Sequence, residues 1–413
     1  MRGDEGRFGA LLHAVEGSAP TAAVQVFADH LGERFGAEQV SFLIADFAGR
    51  SLVRLTQSGA QGPRGQEDQR GGHDGEDPEL VRLDDETLPH GRVVVEQQVQ
   101  LVPLGGDAAG PTRVLAPVSA RGDAIGVLEL VLPARPDEGT VGLLAEAAHE
   151  LAYVVTTERR HTDLYEWGQR SRPVSLAAEI QRRLLPDSFT CEAGQFTLAG
   201  WLEPASTVGG DTFDYALDAE RLYVSMTDAM GHDVDAALLA SLAVGSLRNS
   251  RRAGGDLASM AATAGAAIDE HRGGLGFVTG LLLSVELSTG QVQVVNAGHP
   301  APLLARGGRV QPVELTPDLP LGVLPDATYR VQRFQLDPGD RLVLLTDGML
   351  EHGAREVDLP GLIAAHADAH PRQLMQVLTT AVQDATPELV DDATALCLHW
   401  HGTTGAPGER SRG

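Results

Sequence analysis

Residues 222–232 of the chain, LYVSMTDAMGH, combine a strand pattern with an acidic motif. Leu222, Val224 and Met226 alternate with polar or less apolar neighbours, which predicts a strand. Asp228 continues their face at the end of this strand, where a carboxylate would lie at the rim of a buried sheet. Further acidic motifs occur at 208–211 (VGGD), 345–348 (LTDG) and 391–392 (DD). The sequence therefore predicts carboxylates that converge at one end of a strand-built core, where clustered negative charges need cations.

The available ligands favour hard cations. Magnesium and manganese prefer carboxylate, carbonyl and water oxygens, and the two cysteines, Cys191 and Cys397, are far apart without a CxxC motif. A zinc site or a disulfide framework is therefore not expected, and so few thiols are typical of a reducing cytoplasm. The chain has neither an amino-terminal apolar core nor a run of about 18 apolar residues. We expect a cytoplasmic protein that is neither secreted nor membrane-spanning.

Charge and composition exclude several classes of function. The 413 residues have a formal net charge of −25, which disfavours nucleic acid and anionic membranes as partners. All 32 basic residues are arginine. Without lysine there is no Walker-type phosphate loop, no standard protein-kinase site and no Schiff-base chemistry.

The amino-terminal part predicts a helix followed by a sheet. Apolar residues recur at helical spacing over residues 11–35, and residues 40–44 are typical of a strand. Residues 59–79 contain almost no apolar anchor and predict a mobile surface loop. Two further strands, 112–118 and 125–131, are predicted to form a hairpin.

This hairpin, with Arg121-Gly122-Asp123 between its strands, resembles the closing hairpin of a GAF domain. The resemblance implies a GAF-like α/β domain over residues 1–157 that acts in sensing or in dimerisation. Some domains of this fold hold a small ligand and others only pack or dimerise, and both alternatives stay open here. No motif identifies ligand residues.

Helical segments connect this part to the carboxy-terminal half. One long helix is predicted over residues 137–170, and Pro173 interrupts it. Ser175 is a predicted N-cap for a second helix that stops at Pro186. Its apolar side is expected to contain Leu176, Ile180 and Leu184. Residues 158–187 are therefore predicted as a helical linker.

From Gln181 to about Trp400 the motif order resembles the metal-dependent PPM (type 2C) phosphatases in their SpoIIE-like bacterial branch. The helix sequence AEIQRRLLP (178–186) resembles the opening helix of that branch. The motifs, in order, are PASTVGGD (204–211), DAMGH (228–232), NAGHP (296–300), PLG (320–322), PGD (338–340), TDG (346–348) and DD (391–392). The resemblance implies an α+β chain whose residues 188–402 form an α-β-β-α sandwich with a binuclear manganese or magnesium centre, followed by a disordered tail, 403–413.

Matching these motifs residue by residue implies a ligand set. Asp228 would be shared by both ions, with the backbone carbonyl of Ala229 assisting one of them. Asp211 would bind one ion, and Asp347 and Asp391 the other. A metal-activated water is then the nucleophile. Taken singly, Asp211 and Asp347 would more often be turn residues, and Asp391 could be a helix or strand cap. His232 and His299 are expected to be hydrogen-bonded structural histidines.

One residue departs from the family pattern. Asp233 stands where the family usually has glycine after the histidine. Aspartate adopts a left-handed backbone less freely than glycine but more freely than most residues, so we expect the fold to tolerate it.

The resemblance implies a serine/threonine protein phosphatase that acts on a phosphorylated protein, with a STAS-domain anti-sigma antagonist as the suggested substrate in sigma factor regulation. A signal at the GAF-like domain would control it, and pairing of the linker helices would make a homodimer. The alternative is a catalytically weak regulatory protein that binds a partner through the phosphatase fold.

Overall fold

The structure is a computed structural model that describes residues 7–47, 49–59, 80–83, 88–105, 109–169, 175–203, 210–273, 275–350, 352–386 and 391–402. Residues 60–79 of the predicted mobile loop and the predicted tail, 403–413, lie outside the described residues. The chain divides into two compact units, Met1–Pro173 and Val174–Gly413. Among the described helices, none is long and apolar enough to cross a membrane.

The first unit is built on a six-stranded antiparallel sheet with the strand order β3-β2-β1-β6-β5-β4. Its elements, in chain order, are α1 (Arg7–Glu16), α2 (Ala23–Phe35), β1 (Gln39–Ala45), β2 (Ser51–Gly59), β3 (Leu80–Arg82), α3 (Pro89–Glu96), β4 (Gln100–Pro103), β5 (Thr112–Ala120), β6 (Asp123–Leu132), α4 (Glu138–Glu158) and α5 (Leu164–Gly168).

The predicted hairpin is present as β5 and β6. Arg121 and Gly122 connect the two strands with φ values of 48° and 79°. Two consecutive residues with positive φ are typical of the turn that matches the twist of antiparallel strands. The strand predicted over 40–44 is also present, as part of β1. The GAF-like assignment of this unit stays a prediction.

Two helix predictions in this unit were wrong. The single helix expected over 11–35 is divided into α1 and α2 around Pro20, because proline supplies no amide hydrogen to a helix interior. The long helix expected over 137–170 ends at Glu158. The last residue of α4 that is buried in the apolar core is Val155, so the packing that holds this helix against the sheet stops one turn before its end.

The segment predicted as a linker is divided between the two units. Tyr165 on α5 is buried in the main apolar core of the first unit, together with residues of α1, α2 and α4. The next helix belongs to the second unit, so the contacts place the boundary at Pro173–Val174.

The second unit contains two antiparallel sheets. Their orders are β15-β12-β11-β10-β9 and β14-β13-β16-β17-β8-β7. The elements, in chain order, are α6 (Leu176–Leu184), β7 (Thr190–Glu192), β8 (Phe196–Glu203), β9 (Asp211–Leu217), β10 (Arg221–Ala229), α7 (Asp233–Arg252), α8 (Leu257–Arg272), β11 (Val278–Glu286), β12 (Gln291–Ala297), β13 (Leu303–Arg306), β14 (Arg309–Pro312), β15 (Gln332–Gln335), β16 (Arg341–Leu345), α9 (Leu359–Ala365), α10 (Pro371–Ala385) and β17 (Ala393–Trp400).

Three apolar cores hold these elements together. One contains side chains of both sheets, including Met226 from β10 and Leu396 from β17. A second joins the five-stranded sheet to α7 and α8, and a third joins the six-stranded sheet to α9 and α10. The mixed α/β fold expected from the sequence is confirmed. The face of Leu222, Val224 and Met226 is buried in the first of these cores, as their alternation predicted.

Helices α6 and α7 are only partly buried. On α7, Leu239, Ala240 and Ala243 are buried, whereas Val234 and Leu238 are exposed on one side. On α6 the N-cap at Ser175 is confirmed, since its hydroxyl accepts a hydrogen bond from the Ala178 amide. However, Leu176 is 66% exposed, and α6 instead buries a face that includes the polar side chain of Gln181.

Candidate functional site

The predicted carboxylates come from both sheets of the second unit. Asp211 begins β9 and faces Asp228 across the β9–β10 ladder. Asp347 follows β16 and begins a short 3-10 helix, and Asp391 precedes β17. Because β16 and β17 are neighbours in the other sheet, the four aspartates lie at strand ends on two facing sheets.

Asp211 is buried in a polar contact between the two sheets. Its Oδ2 accepts hydrogen bonds from the hydroxyls of Thr346, at 2.7 Å, and Thr394, at 2.6 Å. Burial, and then the negative charges of Asp228 and Asp392, raise the pKa of this carboxyl well above its usual range, and the two threonine hydroxyls oppose that rise only in part. The anionic form of Asp211 is therefore strained in this position unless a cation compensates it.

Asp228 has a similarly unfavourable environment. Burial raises its pKa to about 7, and the charges of Asp347, Asp391 and Asp392 contribute to the rise. These three carboxylates therefore add to the cost of the Asp228 anion.

The backbone around Ala229 depends on a close approach by a glycine. The Ala229 amide donates to the Gly210 carbonyl at 3.2 Å. A Cβ atom on Gly210 would lie 2.6 Å from the Ala229 carbonyl oxygen. A side chain at this position would therefore displace the carbonyl that the motif match assigns to a metal ion.

Asp392 lies at the site but was not selected from the sequence. It is fully buried, whereas its neighbour Asp391 is exposed. Asp391 Oδ1 accepts a hydrogen bond from the Asp392 backbone amide at 2.9 Å. Asp392 Oδ2 accepts the Gly210 amide at 3.2 Å. This bond connects β17 of one sheet to the loop before β9 of the other, so Asp392 fixes the positions of the two strands that carry the site.

Gln181 on α6 completes this connection and was also missed. Its Nε2 donates to Asp392 Oδ2 at 2.6 Å and to the Asp211 carbonyl oxygen at 2.8 Å. The side chain is almost completely buried. One amide thus joins a helix and both sheets at the site. The only sequence signal was a glutamine inside the motif at 178–186, on a helix whose apolar periodicity pointed to another face.

The residue that departs from the family pattern adopts the left-handed backbone considered from the sequence. Asp233 has φ 61°, and its Oδ2 lies 2.9 Å from His232 Nδ1. Both side chains are well exposed. The first residue of α7 is thus tolerated at a positive φ, as expected for aspartate.

His299 is a buried structural histidine, as the sequence analysis expected. Its Nδ1 lies 2.9 Å from the hydroxyl of Thr279, the residue that pairs with Asp228 on the neighbouring strand. Asn296 closes the turn, because its side chain bonds the backbone amide and carbonyl of His299. Burial lowers the pKa of His299 to about 4, so the ring is neutral at physiological pH.

The carboxylates fit divalent cations in chemistry and charge. In the described part of the chain, no three His, Cys, Asp or Glu side chains close around one point tightly enough to enclose an ion by themselves. The donors at the site are nevertheless hard oxygens, which magnesium and manganese prefer. Burial, and then the charges of the neighbouring carboxylates, raise the pKa values of Asp211 and Asp228, and a bound cation would offset both effects.

Comparisons with known proteins found a matching family model and similar curated proteins. A family model described as stage II sporulation protein E (SpoIIE) matches residues 218–401. The phosphoserine phosphatase RsbP of Bacillus subtilis (strain 168) is 24% identical over 221 residues, which make up 51% of this chain and 53% of RsbP. The phosphoserine phosphatase RsbU of the same organism is 22% identical over 236 residues, or 54% of this chain and 69% of RsbU.

Among solved structures, the SiaA-PP2C domain of Pseudomonas aeruginosa has 22% sequence identity and a TM-score of 0.46, and the alignment covers 54% of this chain and 94% of that domain. This chain spans about half of the length of RsbP. The family match begins after Asp211 and includes Asp228, Asp347 and Asp391. Over residues 218–401 the chain therefore matches the SpoIIE family model, and about half of the chain is similar to phosphoserine phosphatases.

Proposed function

We propose that this protein is a metal-dependent serine/threonine protein phosphatase that hydrolyses phosphoserine and phosphothreonine monoesters. The observation that carries the proposal is the group of carboxylates at the strand ends of two facing sheets, where burial, and then the charges of Asp347, Asp391 and Asp392, raise the pKa of Asp228 to about 7. Without cations, such a group of carboxylates is destabilised by burial and mutual repulsion. With bound cations, it would be able to bind and hydrolyse phosphate esters. The helix, sheet, sheet and helix layers of the second unit would then be the α-β-β-α sandwich of PPM phosphatases.

The proposed ligand set follows the family motifs. Asp228 would hold both of two manganese or magnesium ions, with the Ala229 carbonyl assisting one of them. Asp211 would hold one ion, and Asp347 and Asp391 the other. Two bound divalent ions would supply Lewis acidity and an activated water for attack on phosphorus.

The chain's own residues hold this ligand set in place. Thr346 and Thr394 both donate to Oδ2 of Asp211, which orients that carboxylate and leaves Oδ1 for an ion. Asp392 and Gln181 fix the backbone of Gly210 and Asp211 against β17. Since His299 is buried and neutral, it supports the strand of Thr279 and transfers no proton at physiological pH.

The substrate class rests on the relatives. RsbP and RsbU are phosphoserine phosphatases, and the motif resemblance points to a phosphorylated STAS-domain anti-sigma antagonist in sigma factor regulation. We further propose that the first unit is a GAF-like module that receives a small-molecule or protein signal, that the protein is cytoplasmic, and that it forms a homodimer.

Hydrolysis of p-nitrophenyl phosphate tests the activity. The purified full chain is expected to hydrolyse it only when manganese or magnesium is added. Asp228→Asn should lower kcat by at least about 100-fold, because the bridging charge is lost, while circular dichroism stays unchanged. Asp326→Asn, which changes an exposed aspartate outside the proposed ligand set, is the matched control. Equal activity of Asp228→Asn and the wild type would refute the metal site.

A panel of phosphorylated STAS-domain proteins, incubated with the enzyme with and without manganese, tests the substrate class. Release of phosphate from a panel member is the expected result. Calorimetric titration separates this enzyme from the catalytically weak binding protein, since two bound ions per chain favour catalysis and none favours the alternative.

A further inference from the structure

The surface beside the carboxylates is unusually apolar. Several large apolar side chains stay exposed on segments that leave the site: Met230, Val234, Leu238, Leu275, Leu319, Val323 and Leu324. We call these seven residues the apolar rim. Leu275 is 76% exposed, the largest value among the exposed large apolar residues that the structure describes.

Backbone hydrogen bonds hold the segments of the apolar rim together. The Met230 amide donates to the Phe277 carbonyl at 3.1 Å, and Val278 and Leu321 exchange two bonds of 2.9 and 2.8 Å. Val278 also pairs with Ala229 at the end of β10. The segments that carry Met230, Leu275 and the 319–324 residues are therefore neighbours, and they begin at the strand end where Asp228 lies.

The helix that follows extends the same surface. Val234 and Leu238 are one helical turn apart at the start of α7, so they lie on one face. Leu239, Ala240 and Ala243 of the same helix are buried against the sheet and α8. The apolar rim therefore does not contribute to the core. Exposed apolar patches of this kind are typical of surfaces that bind another molecule.

Charge argues for the kind of partner. The exposed carboxylates around the apolar rim include Asp233, Asp235, Glu270 and Asp326. Arg330, on the same loop, is held by Asp318 at 2.7 Å. A second copy of this chain would bring like charges together, whereas a partner with basic residues around an apolar patch would be attracted.

We propose that the apolar rim is the docking surface for the folded phosphoprotein substrate, which presents apolar and basic residues beside its phosphorylated side chain. This inference rests on the proposed function. A phosphoserine can reach carboxylates at a strand end only when the body of its protein lies on the adjoining surface, and the apolar rim is that surface next to Asp228. The rim would supply selectivity for a folded substrate, while the carboxylates act on any phosphate monoester.

The test compares substrates of different size on the full chain. For Leu275→Ser, kcat/KM for p-nitrophenyl phosphate should stay within about twofold of the wild type, because this small ester does not reach the apolar rim. For a folded phosphorylated STAS-domain protein it should fall at least about tenfold, which corresponds to about 1.4 kcal/mol of lost binding. The matched control is Leu217→Ser, at the opposite end of β9 from Asp211.

Short phosphoserine peptides cut from each panel protein complete the design. The wild type should prefer a folded panel protein over its own peptide, and Leu275→Ser should lose that preference. The proposal is overturned if the wild type prefers no folded protein over its own peptide. It is also overturned if Leu275→Ser leaves kcat/KM unchanged for every substrate, or lowers kcat/KM equally for all substrates. Failure of the wild type to hydrolyse p-nitrophenyl phosphate with metal would refute the phosphatase assignment instead.

Discussion

Replacing Gln181 by methionine tests whether one buried amide holds the site together. Methionine has nearly the same length and helix propensity as glutamine, so α6 should keep its conformation. The variant removes both the bond to the Asp392 carboxylate and the bond to the Asp211 carbonyl. Asp392 then keeps the backbone donor at Gly210, while the Asp211 carbonyl loses its side-chain donor.

The expected cost follows from the two bonds. A hydrogen bond to a charged group contributes about 1.5–3 kcal/mol and a neutral one about 1 kcal/mol. The apolar contacts of methionine offset a part of this loss. We therefore expect Gln181→Met to lower the free energy of unfolding of the second unit by about 2–4 kcal/mol.

Tryptophan fluorescence in urea measures this change for the second unit alone. The chain contains three tryptophans, of which Trp167 belongs to the first unit and Trp201 and Trp400 to the second. In a Trp167→Phe background the signal reports only the second unit. Gln376→Met is the matched control, since Gln376 is a partly exposed glutamine on α10. A loss below about 0.5 kcal/mol for Gln181→Met, or an equal loss in the control, would refute the reasoning.

Two further predictions use the same fluorescence signal. Asp233→Ala should destabilise the second unit by about 1 kcal/mol relative to Asp233→Gly, because alanine tolerates the observed φ of 61° less well than glycine; equal stabilities would contradict a left-handed backbone there. In the metal-free protein, burial and the neighbouring carboxylates raise the pKa of Asp228 from 3.8 in the unfolded chain to about 7 in the folded state. The free energy of unfolding should therefore fall as pH rises from about 4 to 7, by at most about 4 kcal/mol. Manganese should reverse this fall, and Asp228→Asn should reduce it. A rise in wild-type stability over the same pH range would contradict the prediction.

Local patterns were sufficient to predict the strands that carry the site. The alternation over 222–226 predicted β10, because one face of this strand is buried between the sheets. The short polar sequence at Arg121 and Gly122 likewise predicted the turn that the structure contains. Such features depend on residues that are close together in the sequence, so a single sequence is sufficient to predict them.

Contacts between distant residues could not be predicted in this way. Gln181 and Asp392 are 211 residues apart, and no local pattern shows that the carboxylate satisfies the amide. Apolar periodicity favoured a face with Leu176, but the structure buries Gln181, because a buried polar group is tolerated once it is hydrogen-bonded. The choice between Asp391 and Asp392 as the buried residue likewise depends on the packing of the two sheets.

We expect the contacts of Gln181 to couple cation binding to the position of α6. Cations at the carboxylates would stabilise the arrangement of Asp211 and Asp392 that Gln181 also stabilises, so each must favour the other by the same free energy. Because α6 is the first described helix after the boundary at Pro173–Val174, a signal that moves this helix would change cation affinity. Gln181→Met should then weaken manganese binding by calorimetry, whereas Gln376→Met should not. If both variants bound manganese like the wild type, α6 would be a structural helix with no control over the site.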